Sequence, residues 1–193
     1  MNEKIRSRIN SLRPLLKDPA QDVRSAAAEA IEKLEAAGNV DEVLATLKAG
    51  SMGARVGAIH ALGEIGGEKV LPALVYCARR PEEDIRSAAV TVLGKLARPE
   101  TVTILVGLLD DQAPAVQCRA IAALRNFPAT PDMLDKLRSF LRASDGALEA
   151  EAVLTLAELG DQHSLPHIQA LLASPHASTR QAAATAIGRM PHQ

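Results

Sequence analysis

A nine-residue pattern of apolar and polar positions returns six times along the chain. The copies span residues 23–31, 54–62, 85–93, 116–124, 148–156 and 179–187. If the second residue of each copy is taken as its anchor, successive anchors stand 31 or 32 residues apart. A constant period of this length is the mark of a repeat protein in which similar units stack on one another.

Each period predicts two helices. In the second helix, apolar residues lie one before the anchor and three, four, six, seven and ten after it, which is one broad stripe on a helix. The first helices have apolar residues at similar spacing, from Leu12, Leu15 and Leu16 in the first repeat onwards. Helix breakers separate the repeats: Gly38, Gly66, Gly67, Pro99, Pro128 and Gly160.

A pair of short helices cannot bury its apolar stripe alone, so neighbouring pairs must stack. We therefore predict an all-α fold, a right-handed α-solenoid of six helix pairs with a period of about 31 residues. It forms one domain over residues 1–193, with repeats at about 1–37, 38–66, 67–98, 99–129, 130–160 and 161–193.

Composition supports helices and narrows the class of partner. The chain has 35 Ala and 25 Leu among 193 residues, and both favour helix over strand. With 22 basic and 23 acidic residues, nothing draws the chain to nucleic acid or to an anionic membrane. Neither a secretory signal nor a membrane span is evident, so a cytoplasmic protein is expected.

The signature apolar-Arg-x-x-Ala-x-x-Ala-Leu-Gly is clearest from Arg55 to Gly63, Arg86 to Gly94 and Arg180 to Gly188. In period and signature the chain resembles the HEAT-like repeats of the bacterial phycobilisome-lyase type. The resemblance implies that second helices line a concave face and that an acidic turn residue and the anchor Arg form a ladder between repeats. Asp18 with Arg24 fits that ladder, whereas repeats four and five depart from it because their anchors are Gln117 and Glu149.

Candidate catalytic and metal-binding residues are scarce. None of the five histidines is followed by Glu, so the His-Glu dipeptides of the repeat-built di-iron hydroxylases are missing. His163 and His167 have a metal-ligand spacing but no third ligand in view, and we expect both to be exposed. Tyr76, Phe127 and Phe140 are the only aromatic residues that could stack on a tetrapyrrole. We expect no metal, no cofactor and no turnover.

The function that the sequence favours is a non-enzymatic scaffold or adaptor that binds another protein on the concave face. The alternative is an accessory subunit of an enzyme, such as a bilin lyase complex, as the resemblance allows. A monomer is expected, with a homodimer as the alternative.

The residues one, five and nine after each anchor point away from the core, and the partner-binding residues are sought there. Four apolar ones cluster in repeats four and five, with Leu154 as the anchor that a partner would bury. This patch is Cys118, Ala122, Ala150 and Leu154; its rim is Lys95, Asn126 and Glu158; and His60 and Thr91 occupy the same columns in earlier repeats. Cys118 is expected to be a half-buried thiol, and Arg119 to form an ion pair with Glu151 across repeats four and five.

Overall fold

The computed structural model describes residues 3–190, apart from the side chains of residues 3, 4, 33, 36–39 and 68. Over this range the chain forms helices joined by short turns, without a β-strand. The second helices are α2 (Gln21–Ala49), α3 (Met52–Ile65), α5 (Glu83–Leu96), α7 (Pro114–Leu124), α9 (Gly146–Glu158) and α11 (Ala177–Arg189). The first helices are α1 (Glu3–Leu12), α4 (Leu71–Cys77), α6 (Val102–Gly107), α8 (Pro131–Ser139) and α10 (Leu165–Ala170).

Several first helices end in a tight 3-10 turn. These turns are Arg13–Lys17 after α1, Leu108–Asp110 after α6, Phe140–Arg142 after α8 and Leu171–Ala173 after α10. The predicted breaks at Gly66, Gly67 and Gly160 occur, and all three glycines have a positive φ, of 65°, 80° and 71°. Only glycine adopts this left-handed conformation without steric cost, which explains why the helices stop there.

The break predicted at Gly38 is wrong. Helix α2 is continuous over 29 residues, from Gln21–Ala49, and joins the second helix of repeat one to the first helix of repeat two. The expected boundary between residues 37 and 38 therefore falls inside a helix. A single Gly in a helix costs only about 1 kcal/mol relative to Ala, and here no Pro accompanies it to stop the helix.

The chain divides into two compact units, Met1–Ala73 and Leu74–Gln193. In the first unit, α1 and α3 both pack on α2, around the buried side chains of Ile9, Ala27 and Leu47. Leu15 and Leu16 are exposed, against the expectation that they belong to the apolar stripe of the first helix. The α-helix ends at Leu12 and continues as a 3-10 turn, so the helical spacing that would have placed them inward is lost.

In the second unit, α5, α7, α9 and α11 stack in chain order. The residue three after each anchor is alanine in every repeat, and in this unit it is completely buried: Ala89, Ala120, Ala152 and Ala183. Leu105, Leu137 and Ile168 of the first helices are also inaccessible to solvent and complete the core. Small side chains at the centre of the stack let successive second helices approach closely.

Three of the anchor arginines hold the turn between the two helices of their repeat. The Arg86 guanidinium donates hydrogen bonds to the carbonyl oxygens of Arg80 (2.9 Å) and Pro81 (2.7 Å). Arg24 and Arg180 make the same pair of bonds to the residues six and five before them. These carbonyls lie in an irregular turn without helical partners, which gives the signature Arg its structural reason.

Arg86 also links its repeat to the next. Its Nε and one terminal nitrogen donate to the two carboxylate oxygens of Asp111, at 2.8 and 2.9 Å, and both side chains are 7% exposed. Asp111 in turn accepts a bond from the Ala113 N–H. Asp18 differs from Asp111, because Arg24 donates a hydrogen bond to its backbone carbonyl oxygen and not to its carboxylate. The Asp18 carboxylate accepts a hydrogen bond from the Ala20 N–H.

Repeat five keeps the same link with the polarity reversed. Its anchor, Glu149, is buried and accepts hydrogen bonds from Thr179 Oγ1 (2.9 Å) and Ser174 Oγ (3.4 Å) of repeat six. Ser174 stands six before its own anchor, as Asp111 does. The ladder thus continues past an anchor that is not Arg, because donor and acceptor have exchanged places.

One glycine fixes the distance between α5 and α7. A Cβ atom built on Gly94 would lie 2.5 Å from the Cβ and 2.9 Å from the Cα of Ala123. Gly188 has the same place in its repeat, yet a Cβ there would meet nothing within 4 Å. Of these two signature glycines, only Gly94 is therefore required by helix packing.

Burial by itself would raise the pKa of Asp111. The bonds from Arg86 and from the Ala113 N–H outweigh it and hold the pKa below its usual value. A carboxylate with a lowered pKa in the folded state stabilises the fold above the unfolded-state pKa of about 3.9, and this contribution is lost as the pH falls through the folded-state pKa.

We predict that Asp111→Asn lowers the free energy of unfolding by about 3 kcal/mol at pH 7, because it leaves a buried guanidinium without its counter-charge. The difference from the unsubstituted protein should shrink as the pH falls below about 4, because Asp111 itself then becomes protonated. Urea unfolding at a series of pH values measures both the loss of stability at pH 7 and its dependence on pH. The neighbouring Asp110→Asn, which removes an exposed partner of Lys136, should cost less than about 1 kcal/mol. A difference that stays constant down to pH 2 would contradict this account.

We also predict that Gly94→Ala destabilises the protein by about 1–3 kcal/mol, because α5 and α7 must move apart to admit the methyl group. Gly188→Ala should be neutral or stabilising by up to about 1 kcal/mol, since it only raises helix propensity. Thermal unfolding followed by circular dichroism compares the two variants. Equal shifts in Tm would show that Gly94 does not set the helix spacing.

Candidate functional site

The outer side of α5, α7, α9 and α11, which we call the second-helix surface, carries most of the residues that the sequence singled out. Cys118, Ala122, Ala150 and Leu154 are half-buried, whereas Thr91, Lys95, Asn126 and Glu158 are exposed. None of these side chains is buried in the core, although the four apolar ones, Leu154 among them, are less exposed than expected. Their role in binding stays a prediction. His60 is exposed too, on α3 in the first unit, as is Glu64 one turn later.

A cavity of about 340 Å³ opens on this surface between α5 and α7. We call it the Arg119 groove, and its lining is Thr91, Gly94, Lys95, Arg119, Ala122, Ala123 and Asn126. The amide nitrogen of Asn126 donates to the carbonyl oxygen of Gly94 (3.1 Å) and so joins the two walls. Below this bond the close approach of Gly94 and Ala123 closes the floor of the groove.

A second cavity, of about 390 Å³, lies between α9 and α11. We call it the Leu154 groove, and its lining is Leu154, Ala157, Glu158, Leu159, Gly160, Ala186 and Arg189. The apolar patch expected from sequence is therefore divided. Ala122 lines one groove and Leu154 the other, whereas Cys118 and Ala150 line neither.

The side chain of Arg125 separates the two grooves. Its guanidinium donates to the carboxylate of Glu151 and to Thr155 Oγ1 (3.4 Å), and it lies 3.5 Å from Glu158 Oε1. Its Nε donates to the carbonyl oxygen of Ala122 (3.0 Å). Thr155 in turn donates to the carbonyl oxygen of Ile121 (3.2 Å), so that this network ties α7 to α9.

The ion pair expected between Arg119 and Glu151 is wrong, because Glu151 pairs with Arg125 instead. Arg125 is not among the residues predicted from the sequence, although a signal for it is present. Arg125 stands eight after its anchor, where three other repeats have the signature glycine. Replacing the smallest residue by a long cation at that position places a charge between neighbouring repeats.

Cys118 has the half-buried thiol that its position predicted. Burial raises its pKa above the usual value, and the negative charge of Glu151 raises it further, although Arg119 and Arg125 act in the opposite direction. A thiol with a raised pKa is mostly protonated near neutral pH and is a poor nucleophile. The environment of Cys118 thus suits a packing residue.

The two histidines flagged by their spacing lie on the first-helix side. His163 and His167 are exposed, and His167 Nε2 is 2.9 Å from a guanidinium nitrogen of Arg142. They line a cavity of about 250 Å³ with the Arg138 side chain, whose guanidinium is bound to Asp161. Among the side chains that the structure describes, no three of His, Cys, Asp or Glu form a group that could hold a metal ion. No helix in the part of the chain that the structure describes is both long and apolar enough to span a bilayer.

Comparison with known proteins identifies the repeat. The family model for HEAT repeats matches residues 9–90, 76–148 and 134–193, which together cover nearly the whole chain. No curated protein matches significantly.

Solved structures of repeat proteins share the fold. YibA of Escherichia coli aligns with a TM-score of 0.61 at 20% identity, over 100% of this chain and 71% of that one. An engineered protein aligns with a TM-score of 0.56 at 21% identity, over 98% and 97%. A designed armadillo repeat protein in complex with the peptide (KR)4 aligns with a TM-score of 0.56 at 20% identity, over 95% and 99%. The predicted α-solenoid is confirmed.

For Cys118 we predict an alkylation rate whose pH midpoint lies above the value of about 8.5 for a free cysteine. Glu151→Gln should move the midpoint down, because it removes a charge that disfavours the thiolate. Glu158→Gln serves as the control and should move the midpoint less, since Glu158 also contacts Arg125 but lies seven residues, about two turns of α9, beyond Glu151. Iodoacetamide labelling at a series of pH values, read on the Cys118 peptide by mass spectrometry, gives the midpoints. An unchanged midpoint in Glu151→Gln would contradict the prediction.

Proposed function

Since this chain belongs to the HEAT-repeat family, we propose that it is a non-enzymatic scaffold or adaptor that binds a partner protein on its second-helix surface. Repeat solenoids are typical of protein-interaction scaffolds, because stacked repeats present a long surface on a rigid core. The proposal includes action in the cytoplasm and a monomeric state, with a homodimer as the alternative.

The observation that carries the proposal is the pair of grooves on one face of the second unit. Each is formed by two neighbouring second helices, and together they present the apolar side chain of Leu154 and polar side chains such as Asn126. An apolar anchor site with polar groups close by is the usual composition of a protein interface. The designed armadillo repeat protein with a similar fold was solved with a peptide, which supports this use of the fold.

The resemblance to the phycobilisome-lyase type of HEAT-like repeat leaves one alternative, an accessory subunit of an enzyme such as a bilin lyase complex. Of the three aromatic residues that could stack on a tetrapyrrole, Phe127 is buried in the core and Phe140 is half-buried. Tyr76 is exposed, but its ring and hydroxyl contact Arg80. Purified protein that carries a visible chromophore or a stoichiometric metal would favour the accessory subunit over the scaffold.

We predict that Leu154→Asp weakens partner binding by about 2 kcal/mol or more, because a buried apolar anchor is replaced by a charge. Because Leu154 is half-buried and in the interior of α9, the variant should also lose about 1 kcal/mol of stability, a small part of the total. Affinity capture from a lysate of the source organism, with quantitative mass spectrometry, identifies the partner, and titration with that partner measures the loss.

The matched control is Leu172→Asp, since Leu172 is 46% exposed in the turn after α10 on the first-helix side. It should bind the partner as the unsubstituted protein does. If both variants bind at full strength while remaining folded, the interface lies elsewhere. If Leu154→Asp unfolds, Leu154 is a core residue and the assignment is overturned.

A further inference from the structure

The charge of the Arg119 groove indicates what kind of side chain it binds. We infer that this groove takes a carboxylate side chain from an extended, acidic segment of the partner. The inference rests on the proposed function and adds the chemical class of the ligand to it.

The lining of the Arg119 groove contains no carboxylate and two cations; Lys95 already takes part in an interaction within the protein, so Arg119 is the cation available to a ligand. Lys95 and Arg119 lie on opposite walls, on α5 and α7. Arg119 is exposed, and no carboxylate among the described residues lies within 4 Å of its guanidinium. The acidic residues of the next repeat, Glu151 and Glu158, are engaged by Arg125 instead. The groove therefore keeps a positive charge that a ligand carboxylate can neutralise.

The uncharged residues of the groove suit the backbone of a bound peptide. Thr91 Oγ1 donates to the carbonyl oxygen of Ser87 (2.9 Å), which leaves its lone pairs to accept a peptide N–H. Asn126 is held at the rim by its bond to Gly94, and its amide oxygen is an acceptor as well. Ala122 and Ala123 give the base of the groove an apolar surface without bulk.

The second groove sets the length of the segment. Two helix intervals separate the Arg119 groove from the Leu154 groove, which corresponds to roughly 16–20 Å at the usual spacing of packed helices. About six residues of extended chain cover this distance, and residues six apart point to the same side. An acidic residue and an aliphatic residue about six positions apart would therefore occupy the two grooves together.

The test uses a fluorescein-labelled peptide, Glu-Ser-Glu-Ser-Gln-Ser-Leu-Ser-Leu, and its reversed sequence, because the direction of the chain is open. Matched peptides carry Lys or Gln in place of Glu. Fluorescence anisotropy at low salt should show that one of the two Glu peptides binds at least tenfold more tightly than its Lys and Gln counterparts. Raising the NaCl concentration from 50 to 500 mM should weaken that binding, since exposed charges are screened.

Two charge-reversal variants test whether the peptide binds in the Arg119 groove or elsewhere on the surface. Arg119→Glu should weaken binding of the Glu peptide at least tenfold and make the Lys peptide the tighter ligand. Arg79→Glu is the matched control. Arg79 is exposed shortly before the first residue of α5, at the opposite end of that helix from the groove residue Lys95. This control should leave the preference for Glu unchanged.

Wild-type protein that binds the Glu peptides no more tightly than the Lys and Gln peptides would overturn the inference, as would an Arg119→Glu variant with unchanged preference. If binding of the captured partner is still weakened by Leu154→Asp, the proposed function stands even when the peptides show no preference. The opposite result would be partner binding that does not depend on Leu154, together with an intact preference for Glu peptides. It would contradict the proposed interface and support the carboxylate site.

Discussion

The close packing of successive second helices on small side chains determines the rest of this structure. A helix pair of this length cannot bury its own apolar stripe, so each repeat is stable only against its neighbours. Alanine three positions after every anchor brings the helices together, and Gly94 permits the closest approach, against Ala123. Gly94 and Ala123, which make this contact, also line the Arg119 groove.

Polar groups maintain the same stack at the turns. Arg86 with Asp111, and Glu149 with Ser174, join successive repeats at equivalent places although donor and acceptor are exchanged. Each buried charge is matched by hydrogen bonds, as burial requires. Repeats can therefore vary at the anchor without losing the link, provided that the residue facing it changes as well.

Departures from the repeat signature create the individual features of the surface. Arg125 replaces the signature glycine, and Glu151 stands where other repeats have Ala, Gly or Arg. Together with Thr155 they form one network that separates a cationic groove from a more apolar one. Differences between repeats accumulate on this surface because the close-packed core tolerates little change, whereas the outer columns are free to vary.

The sequence by itself determined the period, the helix pairs and the columns that face outward, because these depend only on the regular geometry of a helix. Tertiary structure decided three matters that spacing does not contain. Helix α2 runs through Gly38, since one glycine without a proline or a cap is too weak to stop it. Glu151 pairs with Arg125 and not with Arg119, and Leu154 lies in a different groove from Ala122, because the reach of a side chain between repeats depends on how the helices are offset in three dimensions.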